Sequence, residues 1–204
     1  MTRVKLADGK LRDEVRQPMY DTIVILGGQS PIGIHTFFSA VQGKSINATN
    51  LRQNNMMESG VSYRVQGMGL DAQNLNVQNI DVLSLIMKAS GLKFRIGEKV
   101  YFTANLNQVC GRVDTVMSAC PGSNATVVEK AFGHLGAPSV AQIAFKGQYA
   151  IDIAPLQSFA VDMEVSSDAT FGLSGGLVAR ATPAANTKVE FTLSLKGLMR
   201  RPVQ

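Results

Sequence analysis

Tryptophan is absent from this chain, and cysteine and histidine each occur only twice in its 204 residues. His35 and His134 are far apart in the sequence, and neither has an Asp, Glu or Cys at the spacing of a metal site. In a reducing compartment, Cys110 and Cys120 are most simply small buried apolar residues, with a disulfide between them as the alternative. No sequence around either cysteine marks an activated nucleophile. These scarcities give no support to metal or thiol chemistry.

Long apolar runs and a strong charge are also missing. No run approaches the roughly 18 residues that a membrane-spanning helix needs. Residues 1–6 lack the apolar stretch of a signal peptide, so we expect a protein that is made and kept in a cytosol. The net charge is only +5, and Arg200-Arg201 is the one adjacent basic pair. Because a nucleic-acid site requires a basic patch or stripe, we predict that this pair lies in a solvated terminus and that nucleic acid is not a specific partner.

Alternation of apolar and polar residues is the most regular feature that the chain does have. Residues 187–196 alternate without interruption, with Val189, Phe191, Leu193 and Leu195 on one face. This pattern predicts a half-buried strand of an antiparallel sheet. A hairpin is predicted at Gly97-Glu98, between two alternating segments. Further alternating segments are residues 60–66, 92–96, 100–104, 141–145 and 159–165.

Short strands separated by turn signals are typical of an all-β protein, here a β-sandwich with Greek-key or jelly-roll connections. Residues 1–19 are rich in charges of both signs and differ from the rest of the chain. We therefore predict an extended N-terminal arm at 1–19 and a single β-sandwich domain at 20–204. One helix is predicted at residues 79–90, with Asn79 as its N-cap.

Two glycine-containing segments partly match nucleotide-binding motifs. Gly27-Gly28 follows an apolar strand, as in a dinucleotide-binding unit, but residues 47–55 lack the acidic residue that would bind the ribose. Gly43-Lys44-Ser45 matches the end of a phosphate-binding loop, but Phe38 occupies the position of the first glycine of that motif. We interpret the first segment as a plain strand and turn, and the second as a chance match.

Carboxylate pairs give no better support for an enzyme. Asp162 and Glu164 lie on the polar face of a predicted strand, where a solvated or subunit-facing role is more common than paired-carboxylate catalysis. No catalytic, cofactor-binding or metal-ligating residue is therefore predicted, and the chain is not expected to be an enzyme or to need a cofactor.

Four segments carry a resemblance to a known group of proteins: GKS at 43–45, TNL at 49–51, GVSY at 60–63 and FTLSLKGLMRRPVQ at 191–204. Together with the β-rich chain and its short N-terminal arm, they make the sequence similar to single jelly-roll capsid proteins of icosahedral bacteriophages. The resemblance implies a structural protein of the virion, made in the host cytoplasm, whose partners are copies of itself and other capsid proteins. A swapped arm could tie such subunits together.

A receptor- or carbohydrate-binding β-sandwich of a virion or cell surface is the alternative. Sugar-binding sandwiches usually present aromatic platforms, and this chain has four tyrosines and no tryptophan. The low aromatic content favours the shell protein over the binding module.

Overall fold

The computed structural model describes residues 2–5, 11–73, 86, 89–109, 117–118, 130–131, 143–145, 149–166 and 188–203, and most of them lie in strands. The all-β sandwich predicted from the sequence is confirmed, because two antiparallel sheets enclose one core. The jelly-roll connection stays a prediction. The strands are β1 (Thr2–Lys5), β2 (Leu11–Arg16), β3 (Met19–Leu26), β4 (Gly33–Phe37), β5 (Ser62–Gln73), β6 (Ser90–Ile96), β7 (Lys99–Asn105), β8 (Met117–Ser118), β9 (Lys130–Ala131), β10 (Ile143–Ala144), β11 (Ile151–Ile153), β12 (Phe159–Val165) and β13 (Lys188–Pro202), and a short helix α1 spans Leu106–Val109.

The larger sheet, sheet A, is organised around β13. Along one edge, β13 pairs first with β3 and then with β2, and along its other edge it pairs with β5. β1 flanks β2, whereas β10 and β11 flank β5. The four apolar side chains of β13 predicted to share one face are all fully buried in the core. Burial of each of these side chains stabilises the fold by about 1.5–3 kcal/mol. The alternating pattern therefore determines which face of the strand points into the core.

The predicted end of β13 is wrong. The strand continues to Pro202, so Arg200-Arg201 lies in a sheet and not in a solvated terminus. Arg200 stands opposite Glu14 of β2, and its Nε donates a hydrogen bond to Glu14 Oε2 at 2.8 Å. The cross-strand charge pair lets polar residues continue a strand where apolar alternation has ended.

The N-terminal segment also joins sheet A. Within the residues predicted to form an extended arm, Leu11–Arg16 is strand β2 and pairs with the last residues of β13 in the same chain. Arg12 adds a hydrogen bond from its guanidinium to Gly60 O at 2.6 Å. Two of the charges that suggest a solvated arm in the sequence, Asp13 and Glu14, stand opposite Arg201 and Arg200 of β13.

The smaller sheet, sheet B, has the order β4-β12-β6-β7. Its predicted hairpin is confirmed, because β6 and β7 pair around a turn at Gly97, where φ is +55°. Phe94 of β6 and Val161 and Met163 of β12 point into the core shared with sheet A. β8 and β9 form a separate two-stranded pair.

Only part of the predicted helix at 79–90 can be compared with the structure. Ile86 and Ala89 are helical and buried, but β6 already begins at Ser90. The remaining positions of this prediction lie outside the described residues. Cys110, Cys120 and His134 also lie outside them.

A β-bulge in β5 keeps both halves of that strand facing the core. Lys196 pairs with Gly67 but the next residue, Gly197, pairs with Val65, so Gln66 has no partner in the register. The extra residue reverses the alternation. Tyr63 and Val65 before the bulge and Met68 and Leu70 after it are consequently all buried.

Glycine is required at position 197 because the backbone of β5 approaches it closely. An added Cβ would lie 2.0 Å from Arg64 O, a backbone atom that cannot move aside. We expect Gly197→Ala to lower the free energy of unfolding by about 3 kcal/mol or more, measured by urea denaturation. Gly91→Ala is the matched control within a strand, since its Cβ would lie 3.6 Å from Ala104 O, an ordinary contact. Equal losses in the two variants would contradict this account.

Candidate functional site

The glycine-rich turn predicted after β3 connects the two sheets. Gly28 has φ of +78°, and Gln29 N donates to Leu26 O at 3.2 Å, closing the turn. Strand β4 follows it, whereas a dinucleotide-binding unit would have a helix there to face the pyrophosphate. The segment is therefore a plain strand and turn.

Lys44 of the partial phosphate-binding motif has a structural partner. Its ammonium donates to Asp21 Oδ1 at 2.8 Å and to Thr22 O at 2.7 Å. Asp21 is fully buried, and its second oxygen accepts a hydrogen bond from Phe38 N at 2.6 Å. A buried carboxylate needs such partners because its desolvation is costly. Lys44 therefore holds the loop to the sheet, a structural role that does not involve a phosphate.

Sequence analysis missed the Asp21–Lys44 ion pair, although one signal was available. Asp21 occupies an inward position of β3, between the buried Met19 and the partly buried Ile23. A charged residue at a core position of a strand implies a buried partner. The alternation of β3 could thus have indicated that an ion pair exists, but not that Lys44 supplies it.

Residues 38–61, which we call the clamped loop, join sheet B to sheet A and are held along the edge of β3. Asn50 acts like a strand partner: its Oδ1 accepts from Tyr20 N at 3.0 Å, and its Nδ2 donates to Pro18 O at 2.7 Å. Thr49 Oγ1 donates to Tyr20 O at 3.1 Å, and the Tyr20 hydroxyl donates to Ile46 O. The polar residues of this loop therefore replace the missing strand at this part of the edge.

The clamped loop is also held at the opposite side, against β12. Asn55 N donates to Phe38 O, and Phe159 N donates to Asn55 O, both at 2.8 Å. Met57 N donates to Gln157 O at 3.2 Å. Because side chains and backbone anchor the loop to both sheets, its exposed residues are held in defined positions.

Exposed apolar side chains lie on the outer face of β3 and on this loop. Val24 and Leu26 are 45% and 50% exposed on the outer face of β3, the face that also carries Tyr20. Ile46, whose carbonyl is bonded to the Tyr20 hydroxyl, is 77% exposed. At about 3.3 Å per residue, the stretch from Tyr20 to Leu26 spans about 20 Å. We call Tyr20, Val24, Leu26 and Ile46 the β3 surface.

The two carboxylates predicted on the polar face of β12, Asp162 and Glu164, have different surroundings. Asp162 is mostly buried and accepts hydrogen bonds from Thr36 Oγ1 and Arg95 Nε, each at 2.8 Å. Glu164 is exposed at the next outward position of the strand. Asp162 links three strands of sheet B, which is a structural role. His35, on the neighbouring β4, has Nε2 at 2.8 Å from Pro31 O.

Within the described ranges, no group of three or more His, Cys, Asp or Glu side chains is arranged to hold a metal ion. The same residues include no helix with the length and apolarity to cross a membrane. Comparison of the chain with protein-family models, curated proteins and solved structures found no match.

Tyr63 is the described titratable group with a strongly altered pKa. Its side chain is buried, and its hydroxyl lies 2.8 Å from both Gln17 O and Leu195 O, the two acceptors that share its single proton. Burial raises the pKa of Tyr63 well above its ordinary value, because the phenolate would be poorly solvated. This hydroxyl ties β5 to β13 and to the connection that precedes β3.

We expect the stability contribution of Tyr63 to depend on alkaline pH. An unfolded tyrosine ionises near pH 10 and the folded one only at higher pH, so the contribution is complete below about pH 10 and falls by about 1.4 kcal/mol per pH unit above it. Tyr63→Phe should cost about 1–2 kcal/mol at pH 8. Because the phenylalanine cannot ionise, this deficit should shrink at pH 11. Urea denaturation of both proteins at the two pH values measures it, and a constant deficit would contradict the assignment.

The Asp21–Lys44 pair should matter more for stability than an exposed pair. Lys44→Met keeps the apolar stem but leaves a buried carboxylate without its cation, so we expect a loss of about 2–4 kcal/mol in urea denaturation. Lys188→Met is the matched control: Lys188 pairs with Glu190 but is mostly exposed, so the expected loss is below about 1 kcal/mol.

A second substitution separates charge from packing in this test. Adding Asp21→Asn to Lys44→Met removes the unpaired buried charge and should recover part of the loss. Equal losses from Lys44→Met and Lys188→Met, or no recovery in the double variant, would show that the ion pair does not hold the loop.

Proposed function

We propose that this chain is a structural protein of a virion, which builds or decorates an icosahedral shell through contacts between subunits. The observation that carries the proposal is the β3 surface, in which Val24 and Leu26 of the outer strand face and Ile46 of a firmly anchored loop are all exposed. Apolar side chains that are exposed and held in fixed positions are suited to protein–protein contact.

The anchoring of the clamped loop supports a role in assembly. Association costs free energy when it orders mobile segments, and that cost is smaller when the contacting residues are already held in place. Ile46 is fixed through Tyr20, and the loop around it through the Asp21–Lys44 pair. The fold thus places buried polar interactions directly beneath the surface that we assign to subunit contact.

The N-terminal residues change the expected route of assembly. Leu11–Arg16 pairs with β13 of its own chain, which removes the support that a swapped arm would have given to a shell role. The proposal therefore depends on contacts between the outer surfaces of the sandwich. Such repeated contacts can close into a symmetric shell without an exchanged segment.

A receptor- or carbohydrate-binding module is the second candidate, and the exposure of Tyr149 favours it. This side chain is 70% exposed, and an exposed tyrosine ring can stack against a sugar. Tyr101 is less suited, because the Lys99 ammonium lies 5.0 Å from its ring centroid. Strong, saturable binding of the isolated protein on a glycan array, lost in Tyr149→Ala, would favour the module over the shell protein.

Assembly can be tested with the purified chain. We expect sedimentation velocity to show oligomers whose fraction rises with protein concentration, and electron microscopy to show the protein in particles. Val24→Ser combined with Leu26→Ser should weaken this association about tenfold or more, because it removes apolar contact area. Val100→Ser, an equally exposed valine on β7, is the control. A wild-type chain that stays monomeric at high concentration and is missing from particles would reject the proposal.

A further inference from the structure

Backbone strain is concentrated at one end of the sandwich. Among the described residues, the non-glycine positions with positive φ are Phe38, Asn55 and Leu156, at +67°, +52° and +59°. Phe38 and Asn55 are directly hydrogen-bonded, and Met57, two residues after Asn55, is bonded to Gln157, which follows Leu156. Residues in such conformations tend to collect where a structure has a functional contact.

Two of these strained residues are explained by their own surroundings. Phe38 is fully buried, its ring centroid lies 5.3 Å from that of Phe159, and its N–H binds the buried Asp21. Asn55 is a residue type that adopts the left-handed region more readily than others. Folding therefore accounts for both.

Leu156 has no such explanation within the described residues. It is 58% exposed at the third position of the turn that joins β11 to β12. Pro155 before it and a positive φ at this position form the pattern of a type II turn, which favours glycine. The turn is closed by Gln157 N donating to Ala154 O at 3.2 Å and by Ala154 N donating to Gln157 Oε1 at 2.8 Å. Folding alone would favour a different residue here.

The neighbouring part of the clamped loop carries one charge of each sign. Glu58 follows Met57, whose N–H is bonded to Gln157, and Arg52 lies with its Nε 3.8 Å from Glu58 Oε1. Both side chains are exposed, so their mutual attraction is weak. A patch with one cation and one anion is complementary to a second copy of itself when the two copies are related by a two-fold axis.

We propose that Leu156, Arg52 and Glu58 form a contact between two copies of this chain. In this contact, which rests on the proposed function, the two Leu156 side chains pack together and Arg52 of each copy faces Glu58 of the other. The closed turn presents the leucine in a fixed position, which lowers the cost of binding. Strain that is unfavourable for the single chain is thus retained at the centre of an interface.

Leu156→Gly tests this inference because folding and association should change in opposite directions. Relief of the positive-φ strain should raise the Tm of a chain of this size by about 2–4 °C, while loss of the apolar side chain weakens self-association at least about tenfold. Leu156→Ala should weaken association without the gain in Tm. Leu11→Ala, which truncates another exposed leucine, should leave association unchanged. Scanning calorimetry and sedimentation velocity supply the two readouts.

Charge reversal tests the two-fold arrangement separately. Arg52→Glu should weaken association through like charges, and the combination of Arg52→Glu with Glu58→Arg should restore it. A monomeric wild type would overturn both this inference and the proposed function. If the wild type assembles but Leu156→Gly or the charge reversals leave association unchanged, the inference alone is overturned.

Discussion

The pairing of β13 along both edges is the interaction on which the rest of the fold depends. β2 and β3 pair with one edge of β13, and β5 pairs with the other edge. The inward side chains of β13 contribute to the core that sheet A shares with sheet B. The bulge at Gln66 of β5, opposite Lys196 and Gly197, keeps the apolar residues of β5 facing the core on both sides of it. Sheet A therefore exists as one sheet because β13 connects its parts.

A second constraint, the buried ion pair between Asp21 and Lys44, links this frame to its surface. An unpaired carboxylate at a core position of β3 would carry a large desolvation free energy. Lys44 offsets this free energy and at the same time anchors the clamped loop. The same contact that satisfies the interior therefore positions the exposed Ile46. Stability and surface geometry are therefore coupled at this edge of the sandwich.

The sequence could predict those parts of the fold in which apolar alternation is regular. The inward face of β13 and the hairpin at Gly97 follow from side-chain period and turn preference. β2 and the end of β13 could not be found in that way, because their cross-strand partners are charged, as in Glu14 and Arg200. The Lys44 partner of Asp21 is a tertiary property, and no local pattern encodes it.

The central position of β13 also has a consequence for how the protein folds. Thr192 meets Thr22 across a sequence separation of 170 residues, and Arg200 meets Glu14 across 186. Long-range pairings of this kind slow folding, because the entropy cost of closing a large loop comes before any stabilising contact forms. During synthesis, the β13-facing edges of β2, β3 and β5 stay open until β13, which follows them in the chain, has been made. Such open edges are prone to pair with other chains, so this sheet would benefit from a chaperone until its central strand arrives.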